Sequence, residues 1–429
     1  WMLQTKKADF KQIGARFRID PVTARIIRNR GIEGEAAIDR YLNGTLDDLY
    51  DPMLLKDMER AVSILCEAVD TGKKIRIVGD YDIDGVCSTY ILLQAFERLG
   101  SDVDFEIPDR IKDGYGINES IIEHAHADGV EVILTCDNGI SAFHQVELAK
   151  KYGMTVVITD HHEVPLDGEK EKIPPADAVI DPKQADCPYP FPVICGAVVA
   201  YKLVQVLYAR RGVPQMEWLD LLEFAAIATV GDVMKLQDEN RILVKYGLKK
   251  MAQTKNLGLR RLAEKNNLDL GAITAYHIGF VIGPCLNAGG RLKTAKEALA
   301  LLRAQSEEEA ERLAEELKEL NDTRKDMTEQ GTEAAKLQVE SWYQKDKVLV
   351  VFLPECHESL AGIIAGRLRE YYQKPAIVLT RGEEAVKGSG RSIDEYHMFK
   401  KLTEVSDLLL KFGGHPLAAG LSLEEKNID

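Results

Sequence analysis

Three apolar runs in the first half of the sequence end in acidic residues, and the acids are of the type and spacing that hold cations. Residues 75–79 (IRIVG) lead into Asp80, Tyr81, Asp82, Ile83, Asp84 and Gly85. Residues 130–136 (VEVILTC) lead into Asp137, Asn138 and Gly139, and residues 154–159 (MTVVIT) into Asp160, His161 and His162. A carboxylate at the mouth of a buried strand is costly unless a cation meets it. Several such carboxylates with an imidazole make a cage for divalent metal ions. Carboxylates suit Mg²⁺ and Mn²⁺, and the histidine shifts the preference to Mn²⁺.

A further acid, Asp232, follows the apolar run that ends at Gly231 in AIATVGDVMKL. Two metals about 3.5–4 Å apart can share one carboxylate, activate a water and clamp a scissile phosphate. The chemistry expected of these residues is therefore hydrolysis of a phosphate ester. Alternate side chains of a strand point the same way, so Asp80, Asp82 and Asp84 are expected on one face where the first strand frays. Gly85 would then let the chain turn into the next helix.

The elements that position these acids alternate. Strands are expected at 75–79, 103–107, 131–136, 154–159 and 178–180, with helices at 88–99, 119–126 and 141–152 between them. That alternation marks a parallel sheet with helical crossovers, in which ligands bind beyond the carboxyl ends of the strands. Residues 1–70 read as helical. Asp20-Pro21 opens one helix with Val22, Ala24, Ile26 and Ile27 as apolar positions, and residues 57–69 carry an amphipathic pattern. Residues 197–208 and 218–230 read as helices, and residues 306–344 as a long charged helix joining two domains. A second α/β pattern begins at Lys347, with a strand, a helix at 361–371, a strand at 376–379 and the glycine-rich stretches GSGRS and FGGHPLAAGL.

With 429 residues, two or three domains are expected. A composition of 45% hydrophobic and 29% charged residues is that of a globular protein, and no apolar run is long enough to span a bilayer. The seven cysteines form no CxxC pair, which argues against a zinc knuckle or disulfide framework and for a reducing cytoplasm. Trp1 ahead of Met2 is set aside as an engineered or trimmed start, and no secretory leader is expected. The net charge of −14 opposes broad coating of a duplex, although a groove needs only local basicity.

DYDIDG, CDNG, TDHH and VGD, in that order, resemble the four motifs of the DHH phosphoesterase superfamily. DGYGIN (113–118), NAGGRL (287–292), GSGRS (388–392) and FGGHPLAAGL (412–421) resemble its bacterial branch of exonucleases specific for single-stranded DNA. The resemblance covers nearly the whole sequence. It implies an N-terminal helical segment (1–55), a parallel-sheet DHH domain (56–300), a connecting helix (301–345) and a smaller α/β DHH-associated domain (346–429), with a cleft between the lobes.

Matched by position, the resemblance gives Asp80, Asp82, Asp84, Asp137, His161 and Asp232 as metal ligands, with Asp137 the bridge. It has Asp160 orienting His161, and His162 touching the substrate phosphate. The Gly413-Gly414-His415 turn, Ser389 and Arg391 would face the metals, with Arg291, His357 and Arg367 as further strand contacts. The stretch CHESLAGIIAGRL resembles the pattern WHxGVIGIVASRL, with Cys356 in place of the aromatic residue.

The expected activity is 5′→3′ removal of mononucleotides from single-stranded DNA with two divalent ions, Mn²⁺ preferred and Mg²⁺ possible, in DNA repair and recombination. A monomer is expected, with a helicase and a single-strand-binding protein as candidate partners and no membrane. Relatives of this branch continue into an OB-fold. Beyond Asp429 that module is missing from the sequence, so weaker strand grip with intact hydrolysis is expected. Two rival readings are hydrolysis of short oligoribonucleotides or cyclic dinucleotides, and a non-catalytic DNA-binding scaffold.

Overall fold

The computed structural model describes residues 6–428, which divide into two compact units. The first comprises residues up to 290 together with 294–315; the second comprises 291–293 and the residues from 316 onward.

The first unit is built on five parallel strands: β1 (Ile75–Val78), β2 (Val103–Glu106), β3 (Val132–Cys136), β4 (Thr155–Thr159) and a last strand at Ala178–Ile180. A short exposed ribbon, β5 (Leu166–Asp167) and β6 (Lys170–Glu171), precedes that last strand, which is β7. The sheet order is β2-β1-β3-β4-β7. β1 and β3 are buried throughout, as expected of strands covered on both faces by helices. The chain leaves β1 towards β2 on one side and passes through β3 on the other. The crevice between the ends of β1 and β3 is therefore a topological switch point, where open α/β sheets bind ligands.

Two long helices back this crevice. Ile83–Arg98 is buried along most of its length, and Gly196–Arg211 is buried on nearly every face up to its last turn, as a helix enclosed by neighbours must be. The stretch expected as one helix at 218–230 is two, Gln215–Leu219 and Leu222–Gly231, broken at Asp220. Near the N-terminus Asp20 caps the helix Pro21–Asn29, accepting from the amides of Val22 and Thr23. Ala24 and Ile27 form its buried face, whereas Val22 and Ile26 are 67% and 52% exposed. A buried ion pair ties this region to the core. Lys202 Nζ lies 3.0 Å from Glu239, donates to the Tyr50 carbonyl at 3.1 Å, and shares Glu239 with the Tyr189 hydroxyl.

The 32-residue helix Glu307–Gln338 links the units, and the division falls within it. Its charges form surface pairs, among them Lys318–Asp322 at 2.8 Å and Lys265–Glu311 at 2.6 Å. The second unit carries a five-stranded sheet of β8 (Leu349–Phe352), β9 (Ala376–Arg381), β10 (Val386–Arg391), β11 (Leu409–His415) and β12 (Ala418–Leu423) in the order β11-β12-β10-β9-β8. Only β8–β9 is parallel. The Gly413-Gly414-His415 stretch expected as a turn thus lies in a strand, β11, and Gly388–Arg391 lies in β10. Ladder pairing to β12 and β9 overrides the low strand preference of glycine. Among the described residues no helix is long and apolar enough to cross a membrane.

Candidate metal centre

The acids converge at the switch point. Asp80 follows β1 and is buried; its Oδ1 accepts from the Gly116 amide at 3.2 Å, and its Oδ2 has no hydrogen-bond partner. Asp82 caps the helix Ile83–Arg98, accepting from the amides of Asp84 at 2.9 Å and Gly85 at 3.1 Å. Asp84 therefore lies in the first helical turn. The shared strand face expected for Asp80, Asp82 and Asp84 does not form, because the Asp82 cap starts the helix before the alternation can continue. Gly85 serves close approach, not a turn: a Cβ there would collide with the Asp80 backbone.

Asp84 is 1% exposed and bonds both carboxylate oxygens to the N-terminus of Gly196–Arg211, at 2.6 Å to the Gly196 amide and 2.7 Å to Ala197. Helix N-termini favour anions, so this second helix holds the carboxylate in place. Gly196 is required for the fit, since a Cβ there would stand 2.7 Å from the Asp137 Cβ. Asp137 follows β3 with φ +62°, a conformation uncommon outside glycine but tolerated by aspartate. Its carbonyl accepts from the Tyr115 hydroxyl at 2.7 Å.

His161, buried at the end of β4, aims Nε2 at three carboxylates: 3.1 Å to Asp137, 3.4 Å to Asp84 and 3.9 Å to Asp232. Asp232 caps the C-terminus of Leu222–Gly231. Two groups have ligand atoms within 4.8 Å of one another: Asp80, Asp82 and Asp137, and Asp84, His161 and Asp232. Asp137 also groups with His161 and His162, so it stands on both sides.

Electrostatics shows that these residues fit a cation. Two carboxylates about 4 Å apart repel by ~4 kcal/mol at an effective dielectric of ~20. Burial and then the Asp82 charge push Asp80 up to about 8; burial and then Asp84 push Asp232 up to about 8 and Asp137 well above the carboxylate range. Burial lowers the pKa of His161, leaving a neutral imidazole whose Nε2 faces acids. Orphaned Asp80 Oδ2, mutually repelling acids and a neutral nitrogen are all satisfied by positive charge placed between them.

Asp160 departs from its expected role. Its Oδ1 accepts Nδ1–H of the His162 ring at 2.7 Å, and it holds His161 only through the backbone amide, also at 2.7 Å. It does not reach the His161 ring, whose Nδ1 has no hydrogen-bond partner. The Ile140 amide fills the other Asp160 oxygen at 2.9 Å. Although burial opposes it, the Asp160 bond raises His162 to about 9, so a cationic imidazole stands at the edge of the acids.

In comparisons with known proteins, the DHH family N-terminal domain matches residues 74–229, and the DHHA1 domain matches residues 345–429. The single-stranded-DNA-specific exonuclease RecJ of Escherichia coli (strain K12) is 36% identical over 428 residues, 95% of this chain and 72% of that protein. The chain belongs to the RecJ family. RecJ of Bacillus subtilis (strain 168) is 37% identical over 431 residues, 100% of this chain but 53% of that relative. The crystal structure of RecJ from Thermus thermophilus in complex with Mn²⁺ matches with a TM-score of 0.82 at 31% identity, covering 97% of this chain and 58% of that one. The chain thus spans about half the length of some RecJ relatives.

The remaining expected contacts lie in the second unit. Ser389 and Arg391 share a face of β10, and Arg391 Nη1 donates to Ser389 Oγ at 3.1 Å. Register places Ala418 opposite both Arg391 and His415, and Gly420 opposite both Ser389 and Gly413. Directly paired residues point to one face, so these form two rungs floored by small residues. Gly414, expected in a turn, lies in β11 at φ +149°, where a Cβ would stand 2.6 Å from the Ala419 Cα. Gly362, at the start of the helix Ala361–Tyr372, closes on Arg391: a Cβ there would stand 2.8 Å from Nη2. Arg291 Nη1 donates to the Ser359 carbonyl at 2.8 Å, and His357 Nδ1 lies 2.8 Å from Ser359 Oγ.

Arg367 falls outside this set. It is exposed and lines a hollow with Glu329, Glu333 and Glu370. Arg369 is the helix residue whose charge acts on Arg391. At 3.6 residues per turn, Arg369 lies two turns beyond Gly362 on the same face, and Arg367 does not.

The sequence reading also passed over three positioning groups. Tyr115 OH bonds the Asp137 carbonyl and lies 3.2 Å from His162 Nε2. Asn138 Nδ2 bonds the carbonyls of Val78 and Cys136, both at 3.0 Å, and so ties β1 to β3. The third is the helix N-terminus at Gly196.

Proposed function

We propose that this chain is a metal-dependent exonuclease that removes mononucleotides from the 5′ end of single-stranded DNA. The observation that carries the reading is the position of Asp137, which groups with Asp80 and Asp82 and also with His161 and His162, while His161 in turn groups with Asp84 and Asp232. Asp80, Asp82 and Asp137 would hold one divalent ion, and Asp84, His161 and Asp232 a second, with Asp137 shared. Manganese or magnesium bound there supplies the positive charge that acidifies a water and neutralises a scissile phosphodiester.

The chain's own side chains do the rest. His162, kept cationic by Asp160, offers Nε2–H to a phosphate oxygen as negative charge builds on it. Tyr115 braces that ring and the Asp137 backbone together. In the second unit Arg391, Ser389 and the amide-rich strand at Gly413, Gly414 and His415 would bind phosphates of the strand, with Arg291 and His357 beside them. The names of the relatives support DNA as substrate. We further propose a place in repair and recombination, with a helicase and a single-strand-binding protein as partners.

The test is digestion of a long labelled single strand, its duplex and a dinucleotide, with Mn²⁺ and with chelator. Metal-dependent release of mononucleotides from the single strand alone supports the reading. Preference for the dinucleotide would move the assignment to short oligonucleotides, and no release at all would leave a binding scaffold.

A further inference from the structure

Residues 6–30 hold eight basic and two acidic residues, in a chain whose net charge is −14. They form the helix Phe10–Phe17, the helix Pro21–Asn29 and the turns beside them, all within the first unit. Ile13, Phe17 and Ile27 pack inward with Ile38 and Tyr41, which leaves the charges outside. Both acids are used locally, Asp9 and Asp20 as the caps of the two helices. Two of the basic residues have acids, Arg16 with Glu35 at 2.7 Å and Arg28 with Glu33 at 2.6 Å. The other six, Lys6, Lys7, Lys11, Arg18, Arg25 and Arg30, are exposed, and among the described residues none has an acid partner.

The fold gathers these charges. Lys6 Nζ would lie 3.9 Å from a Cβ added at Gly31, so it sits against the backbone that follows Arg30. The Arg25 guanidinium lies over the Phe10 ring at 4.7 Å, at the end of the helix that carries Lys11. Lys11 and Arg18 stand two turns apart on the side away from Ile13 and Phe17. Like charges held together repel, and a line of phosphates relieves the repulsion. The basic run at 241–265 differs, because Lys250 meets Asp220, Arg260 meets Glu307 and Lys265 meets Glu311.

Position selects the polyanion. Gln237 Nε2 donates to the Arg30 carbonyl, and Arg241 Nε to the Tyr41 carbonyl at 2.6 Å. The segment is thereby fastened to the start of the helix Asp238–Met251, which the chain enters soon after leaving Asp232 of the metal centre. We propose that this basic face binds the phosphates of single-stranded DNA along strand that lies outside the metal centre, without reading its bases. The identity of the polyanion rests on the nuclease reading.

The probe is a labelled oligothymidine about thirty nucleotides long, its binding followed by fluorescence anisotropy in chelator so that nothing is hydrolysed. The variant combines Lys11→Gln, Arg18→Gln, Arg25→Gln and Arg30→Gln, all at exposed positions. Its affinity at ~100 mM salt should fall about tenfold or more, and its plot of log K against log salt should be shallower by about 2–3, as four lost single-strand phosphate contacts require. Lys151→Gln with Lys170→Gln, exposed elsewhere in the unit, should bind as the wild type does. With Mn²⁺ the fourfold variant should show a raised KM for the long strand and unchanged turnover of a strand about five nucleotides long. Unchanged affinity or slope in a variant with the wild-type Tm overturns the proposal, as does an equal loss in the lysine control. Tighter binding of polyglutamate than of oligothymidine assigns the face to an acidic protein and also overturns it. Undiminished binding with nucleotide release intact sinks this face and leaves the nuclease reading standing. Lost binding in the variant, with no release by either protein, supports the face and sinks that reading.

Discussion

The Asp160 carboxylate bonds the His162 ring at 2.7 Å and leaves the ring of its immediate neighbour, His161, to the acids. Two adjacent histidines are thereby given opposite characters. His161 is neutral and faces Asp137, Asp84 and Asp232; His162 is cationic, with 43% of its side chain exposed.

Asp160→Asn therefore acts through His162. Whichever way its amide turns, Asn sets an N–H against one of two donors, the Ile140 amide or the His162 ring, and removes the charge that keeps the imidazole protonated. We expect kcat to fall about a hundredfold with bound metal unchanged. Asp160→Asn combined with His162→Ala should be no worse than His162→Ala alone, because both remove one unit. Single-turnover rates and metal analysis on the same preparations check this.

Gly196→Ala tests the close approach that seats two acids at once. The methyl would press on Asp137 and shift the amides that hold Asp84. A stability loss of about 1–3 kcal/mol is expected. Manganese affinity should fall tenfold or more, measured by calorimetric titration and urea unfolding.

Much of this centre was legible in the sequence, and the reasons are physical. β1, β3 and β4 must be apolar because helices cover both faces, so the acids after each run stood out. The error at Asp82 and Asp84 arose because DYDIDG has the alternation of a strand, while the deciding interaction is a side-chain cap that alternation does not encode. Tyr115 and Asn138 were missed because their partners belong to other segments of the chain. Gly413-Gly414-His415 was read as a turn because glycine carries little strand signal of its own; its ladder comes from β12, a partner supplied by the fold.

The helix Ala361–Tyr372 separates two arginines that the sequence alone could not rank. Arg369 lies on the Gly362 face towards Arg391, and Arg367 is exposed beside Glu329, Glu333, Lys336 and Glu370. Arg369→Ala should raise KM for single-stranded DNA about tenfold, and Arg367→Ala about twofold or less. Reversal of that order in steady-state kinetics would return Arg367 to the strand contacts.

Glu223 gives a pH test away from the metal. It is buried, Thr254 satisfies one carboxylate oxygen and the other has no hydrogen-bond partner. Burial pushes its pKa from 4.5 up to about 7. The folded chain then keeps a proton that the unfolded chain has lost, so stability declines as pH rises through this window and levels above it. Relative to Glu223→Gln, the wild type should lose ~3 kcal/mol between pH 4.5 and pH 7, read from urea midpoints across that range. A constant difference between the two proteins would contradict this.

The most direct measurement of the central claim is a manganese titration of the wild type and Asp137→Asn, followed by calorimetry and by thermal unfolding. The account predicts two ions per chain and a metal-dependent rise in Tm for the wild type. It predicts a metal-free Asp137→Asn protein more stable than metal-free wild type, because one buried repelling acid is gone, with at most one weak ion and activity reduced at least a thousandfold. Two ions bound with undiminished affinity by Asp137→Asn would contradict it.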